Sequence, residues 1–283
     1  MADALSRINS RVQKAAQAEL AHRAEFGSNL TWVTLVGAKS KVTIKKDEAY
    51  IPGAKVDDFV IASKKLLLGA SFKAVVLGVL KVYAEMTTPV AQGDMPRTAG
   101  YWHPSDAEQV PLEGNFNRPL PNGNHLEAQH WAMLYLPDHP ELEGVVLSFK
   151  GVGNQYAKKL QKMLKEASTI SPELIVEFTA EQVENKKYST YNSYPVAEIV
   201  GKAFDYDDGV KLVKDSFNAE TVEEICNRYA DVYDAYDHGA MIAKHTYNGP
   251  TEIGARETMA LEDKTDGTVH AEVVGDDGNT IPF

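Results

Sequence analysis

Cysteine is nearly absent: Cys226 is the only one in 283 residues. No internal disulfide can form, and the multi-cysteine zinc sites of several nucleic-acid-binding families are excluded. Long apolar runs are missing as well. The first twenty residues hold no stretch of signal-peptide length, and runs such as 74–80 are far too short to cross a bilayer. The expectation is a soluble cytoplasmic protein with no membrane partner that stands on its packed core. Positive charge is also in deficit, with 29 Lys and Arg against 40 Asp and Glu and a net charge of -11. A protein that tracks phosphates normally presents a basic face, so this balance argues at first against a nucleic-acid partner.

The distribution of charge reverses that argument. Residues 1–204 carry 23 bases and 22 acids, whereas 205–237 carry ten acids and three bases, and 248–283 carry eight acids and two bases. The acidity is therefore C-terminal, and the body is locally basic. Residues 39–81 hold nine lysines against four acids, and 150–165 hold five lysines and no acid.

Hydrophobic periodicity divides the chain into elements. Residues 2–26 place Leu5, Ile8, Val12, Ala16 and Leu20 at helical spacing before Gly27, which predicts an amphipathic helix. Short β-branched and aromatic runs at 30–36, 41–45 and 56–62 predict strands, and 72–86 predicts a long central one. Residues 87–126 contain six prolines with several Gly and Asn, so no regular element of any length is expected there. Further strands are predicted at 127–136, 144–149, 174–179 and 187–196, with a lysine-faced helix at 155–167. Residues 198–204, 210–217 and 219–245 read as helices. From 72 to 196 the order is strand, long excursion, strand, strand, helix, strand, strand, which suits an OB-fold. The expected class is mainly β with α additions (α+β), an OB-like barrel with helical N- and C-terminal extensions over residues 1–247. Residues 248–283 have the composition of a disordered acidic tail.

That tail ends Gly275-Asp276-Asp277-Gly278-Asn279-Thr280-Ile281-Pro282-Phe283. It resembles the acidic tails of bacterial single-stranded-DNA-binding proteins, which end Asp-Asp-Ile-Pro-Phe, and the Phe-terminated tails of their phage counterparts. This chain differs by three residues inserted between the acids and Ile281. A disordered acidic segment has no reason to finish on two apolar residues and an aromatic unless something binds them. The resemblance implies that Asp276, Asp277, Ile281, Pro282 and Phe283 recruit replication or recombination proteins in the cytoplasm of an infected bacterial cell.

Contact with single-stranded DNA needs aromatic faces for the bases and Lys or Arg for the backbone. Four clusters supply both: Arg97 with Tyr101 and Trp102; Phe116 with Arg118; Lys150 with Tyr156, Lys158 and Lys159; and Lys186, Lys187 and Tyr188 with Tyr191 and Tyr194. Period-2 geometry separates Tyr188 and Tyr194 from Tyr191, so one of these faces packs inward. Trp32, Phe59, Trp131 and Phe178, flanked by apolar residues, read as core. Enzyme signals are weak. Asp205-Tyr206-Asp207-Asp208-Gly209 departs from calcium-loop spacing at its fifth and sixth positions. His125, Glu127 and His130 do not share one face of a strand. Gly151-Val152-Gly153 lacks the rest of a phosphate loop and reads as a tight strand-to-helix turn. The reading is a phage-type single-stranded-DNA-binding protein acting in replication, recombination or repair, with no catalytic residue, cofactor or metal. The alternatives are a metal-dependent DNA-processing enzyme and a non-enzymatic virion protein.

Overall fold

The computed structural model describes residues 30–88, 96–113, 118–142, 144–167, 170–185, 190–205, 211–212, 217–237 and 242. The expected N-terminal helix at 2–26 and the tail at 248–283 lie outside the described residues.

The chain is mostly β, with a few helices, and its main sheet curls into a half-barrel. The strand that organises it is β4 (Ser71–Met86), whose sequence SFKAVVLGVLKVYAEM is rich in β-branched and aromatic residues, as a strand buried on both faces requires. One edge of β4 pairs with β7 (His125–Tyr135) from Val75 to Met86, with a register shift between Val76 and Gly78. The other edge is shared. β9 (Leu174–Asn185) pairs with Ser71–Val75, and β5 (Thr98–Trp102) takes over at Tyr83. Unpaired backbone in the gap is costly when sheltered from water. Two side chains reach it: Gln161 Nε2 donates to the Val79 carbonyl at 3.0 Å, and the Tyr236 hydroxyl donates to the Lys81 carbonyl at 2.6 Å.

The sheet continues from β7 through β8 (Val145–Lys150), β1 (Thr31–Leu35), β2 (Phe59–Ile61) and β3 (Leu66–Gly69), while β10 (Thr190–Lys202) lies outside β9. A two-residue β6 (Arg118–Pro119) adds to β7. The pairing is antiparallel except between β1 and β8. Within this sheet β9-β4-β7-β8 is the spatial order fourth-first-second-third of a Greek key. β10 forms one edge, which is where Pro195, lacking an N–H, can be tolerated inside a strand. Asp57, held at φ 71, accepts hydrogen bonds from Gln182 and Ser193 and so ties the β9–β10 hairpin to the loop before β2.

Each face of the sheet packs on one helix. Helix α2 (Asn154–Glu166) follows the short helix α1 (Pro104–Ala107) and buries Tyr156, Ala157, Leu160 and Leu164, the spacing of one helical stripe. These residues join Phe59, Phe72, Phe149 and Phe178 in one core. Helix α3 (Ala219–Asp237) buries Val222, Ile225 and Val232 against Leu80, Trp131, Met133 and Tyr135 on the opposite face.

Several sequence expectations need correction. Lys41–Thr43 is a 3-10 turn, not a strand. The helix expected at 198–204 is the end of β10 followed by β11 (Phe204–Asp205), because Glu198 and Ile199 pair with Glu177 and Val176. β9 runs to Asn185, well past the expected end at 179, and cross-strand pairing along its length overrides the weak local preference of that polar sequence. β12 (Lys211–Leu212) pairs with β11 in place of the helix expected there. Within 87–126, expected to lack regular elements, β5, α1 and β6 form. Their apolar residues pack together as a small cluster around Trp102, Val110 and Leu120.

Candidate nucleic-acid interface

The first cluster splits. Arg97 is exposed, and its N–H donates to Thr87 Oγ1 at 3.0 Å. Trp102 is only 6% exposed, packs with Tyr83, Ala107, Val110, Leu120 and Leu126, and donates Nε1–H to Glu85 Oε2 at 2.9 Å. The stacking role expected of Trp102 is therefore corrected: its ring is held inside the protein. Tyr101, also expected to stack, is half-buried between Trp32, with ring centroids 6.0 Å apart, and Trp131, at 4.7 Å. Its burial pushes the phenol pKa up.

Arg118 is likewise engaged inside the protein. Its Nη1 donates to the carbonyls of Val110 and Glu108, and the guanidinium lies 5.7 Å from the Tyr83 ring centre. The same loop is clamped by Lys81, which donates to Glu108 Oε1 at 2.7 Å and holds that carboxyl below its usual range. Phe116 lies outside the described residues, as do Lys186, Lys187 and Tyr188, and Asp276, Asp277, Ile281, Pro282 and Phe283 in the tail.

The third cluster separates by function. Lys150, Lys158 and Lys159 are exposed, whereas Tyr156 is buried and stacks on Tyr194 at 5.5 Å and 19°. Lys159 Nζ sits 5.2 Å from the centre of the Tyr156 ring. Tyr156 is thus a packing residue, a second correction, and it supports the lysines by anchoring α2 to β10. The start of α2 is fixed by a turn at Gly151–Gly153 in which Gly151 adopts φ 51, a conformation that suits glycine. Asn154 Nδ2 donates to the Ala128 carbonyl at 2.9 Å, which leaves its Oδ1 to accept from His130 Nδ1–H at 3.0 Å. Burial lowers the His130 pKa, the Asn154 bond opposes it, and the charges of Lys158 and Lys81 lower it further. His130 therefore reports a positive local field at this end of the helix.

Tyr191 is 68% exposed on the edge strand. Tyr194, three residues on, faces α2, so the period-2 separation of these tyrosines holds in the fold. Among the described residues no group of three His, Cys, Asp or Glu is arranged to hold a metal ion. His125 pairs with Glu127 at 3.1 Å.

The sequence missed a second feature on the face that carries α3. Trp32, expected in the core, is only half-buried and forms a cluster with Tyr101 and Trp131. Gln129 and Trp131, two apart on β7, share that face, and Gln129 Nε2 and Trp131 Nε1 are buried without a hydrogen-bond partner. Alternation along β7 carried the signal, but which rings stay partly open depends on β1 and β5, which come from distant sequence. Compared with protein-family models, curated proteins and solved structures, the chain finds no match.

Proposed function

We propose that the chain is a phage-type single-stranded-DNA-binding protein built on an OB-like barrel, which coats DNA and catalyses no reaction. One observation carries the reading: the Greek-key order of β9-β4-β7-β8 within a curled sheet, with α2 between the third and fourth strands. An OB-fold is a partly open Greek-key barrel that grips oligonucleotides with the face of its second and third strands and with the loops joining strands 1–2 and 4–5. The corresponding parts here are the face of β7 and β8, the connection 87–124, and the turn 186–189.

These segments hold most of the residues chosen for charge and aromaticity. Arg97, Phe116 and Arg118 belong to the first loop, Lys186, Lys187 and Tyr188 to the second, and Lys150 ends β8. Lys158 and Lys159 add exposed charge one turn into α2. β1, β2 and β3 extend the sheet beyond the five strands that the reading needs. The acidic tail supplies the partner contact, with Ile281, Pro282 and Phe283 as an apolar anchor beside Asp276 and Asp277.

Ultraviolet crosslinking of an oligo-dT strand, with the adducts mapped by mass spectrometry, tests the reading. Adducts are expected in 87–124, in 186–189 and near Lys150. Adducts confined to α3 or to β3, or none at all, would contradict it.

A further inference from the structure

The half-buried rings of Trp32 and Tyr101 lie nearly parallel, 26° apart in plane with centroids 6.0 Å apart. Trp131 stands across the pair, edge-on to Trp32 at 5.1 Å and 85° and to Tyr101 at 4.7 Å and 81°. The arrangement is two walls and a floor. A planar base sandwiched between the walls needs two stacking distances of about 3.4 Å each, so the walls need part by less than about 1 Å.

Beside the floor sits a hydrogen-bonding mismatch. Gln129 and Trp131 are each 1% exposed, and Gln129 Nε2 and Trp131 Nε1 have no acceptor. Buried donors left unmet destabilise a protein and are uncommon unless a water or a ligand completes them. Ser148 Oγ donates to Gln129 Oε1 at 3.2 Å, which fixes the amide with its N–H groups unused. Both free groups are donors, so what completes them is an acceptor. Lys150 lies directly opposite Gln129 in the β7–β8 register and is exposed, within the same neighbourhood as the slot.

We propose that Trp32, Tyr101 and Trp131 form a slot for one nucleobase, with Gln129 and Trp131 donating to an exocyclic carbonyl of that base. The inference rests on the single-strand reading above and gives it a base preference. Thymine, cytosine and guanine each carry a carbonyl oxygen with two lone pairs. Adenine has none, and its exocyclic amine would bring a third donor to two that already lack an acceptor. Lys150 then meets the adjoining phosphate.

The test compares the affinities of dT15 and dA15 for the full chain and for Gln129→Leu and Trp131→Phe. Self-stacking of the adenine strand is common to all three proteins, so it cancels when their dT:dA ratios are compared. Wild type is expected to favour dT15, and each variant to lose about five- to tenfold of that ratio. Gln129→Leu is also expected to raise the Tm of the free protein, because it removes a buried polar group with an unmet donor. A loss of ratio together with a raised Tm separates a ligand-binding role from a structural one. If both strands bind and the ratio is unchanged in both variants, the donors hold only water and the slot is overturned, while single-strand binding stands. If neither strand binds the wild type, the single-strand reading itself fails.

Discussion

Replacing Trp102 separates packing from DNA contact more sharply than any other single change. Trp102 is 6% exposed, closes a cluster of Tyr83, Ala107, Val110, Leu120 and Leu126, and donates to Glu85. Trp102→Ala removes the ring and leaves a cavity, at about 3–5 kcal/mol for a buried aromatic. Trp102→Phe keeps most of the apolar contact and loses only the hydrogen bond to a carboxylate, about 1.5–3 kcal/mol. Glu85 keeps Asn122 and Asn124, which donate to its Oε1 at 3.0 and 2.6 Å, so the Phe variant belongs at the low end of that range. Against a typical stability of about 5–15 kcal/mol, the Ala variant loses a third or more and the Phe variant far less. Urea unfolding followed by circular dichroism reads both losses, and DNA affinity measured below the unfolding transition reads the rest. The packing argument requires an early midpoint with near-normal affinity per folded molecule. A Trp102→Ala protein with an unchanged midpoint and a binding loss of about 1–3 kcal/mol would refute it, because that is the signature of an exposed stacking ring.

Neutralising Lys150, Lys158 and Lys159 together is expected to weaken binding to every strand alike and to reduce the slope of log K against log salt by roughly 0.7 for each phosphate no longer neutralised; an unchanged slope removes α2 and the end of β8 from the DNA path. Cys226 is pushed from an ordinary 9.0 to about 11, chiefly by burial and then by the charges of Glu173 and Glu223. Its thiol is expected to react slowly with a disulfide reagent at pH 8 and rapidly in urea. As the pH rises past about 9 the unfolded chain loses this proton before the folded one, so the thiol's contribution to stability is present below pH 9 and fades as pH approaches 11. A folded protein whose thiol reacts as fast as a free one contradicts that burial. Deleting 275–283 is expected to keep or strengthen DNA binding, most visibly at low salt, and to abolish capture of replication proteins, with Phe283→Ala reproducing the second effect alone. Lost DNA binding with retained partners would place the tail in the DNA site.

What the sequence reveals follows from range. β4 and α2 are legible because their signals are local: a long β-branched run in one, a 3/4-spaced stripe opposite lysines in the other. The continuation of β9 past 179 and the extended form of 198–202 are not, because both depend on pairing between segments of modest local preference. Aromatics mislead for a related reason. Trp102 has polar neighbours in sequence, yet Val110, Leu120 and Leu126, which enclose it, arrive from 8 to 24 residues further on. Tyr156 misleads in the same way, since Tyr194 reaches it from the far strand of a hairpin. Trp32 errs in the other direction, being flanked by apolar residues while part of its ring stays open. Composition reports what surrounds a residue along the chain, and burial depends on what surrounds it in space.

The central claim is that the chain binds single-stranded DNA through charge and stacking, with no enzymatic step. Fluorescence anisotropy of a labelled oligo-dT strand, titrated with the full chain beside a duplex of equal length at several salt concentrations, tests it most directly. The account predicts saturable binding to the single strand, markedly weaker binding to the duplex, a negative slope of log K against log salt, and intact oligonucleotides recovered afterwards with or without divalent metal. No anisotropy change at low salt, or a strand cleaved when metal is added, would contradict it.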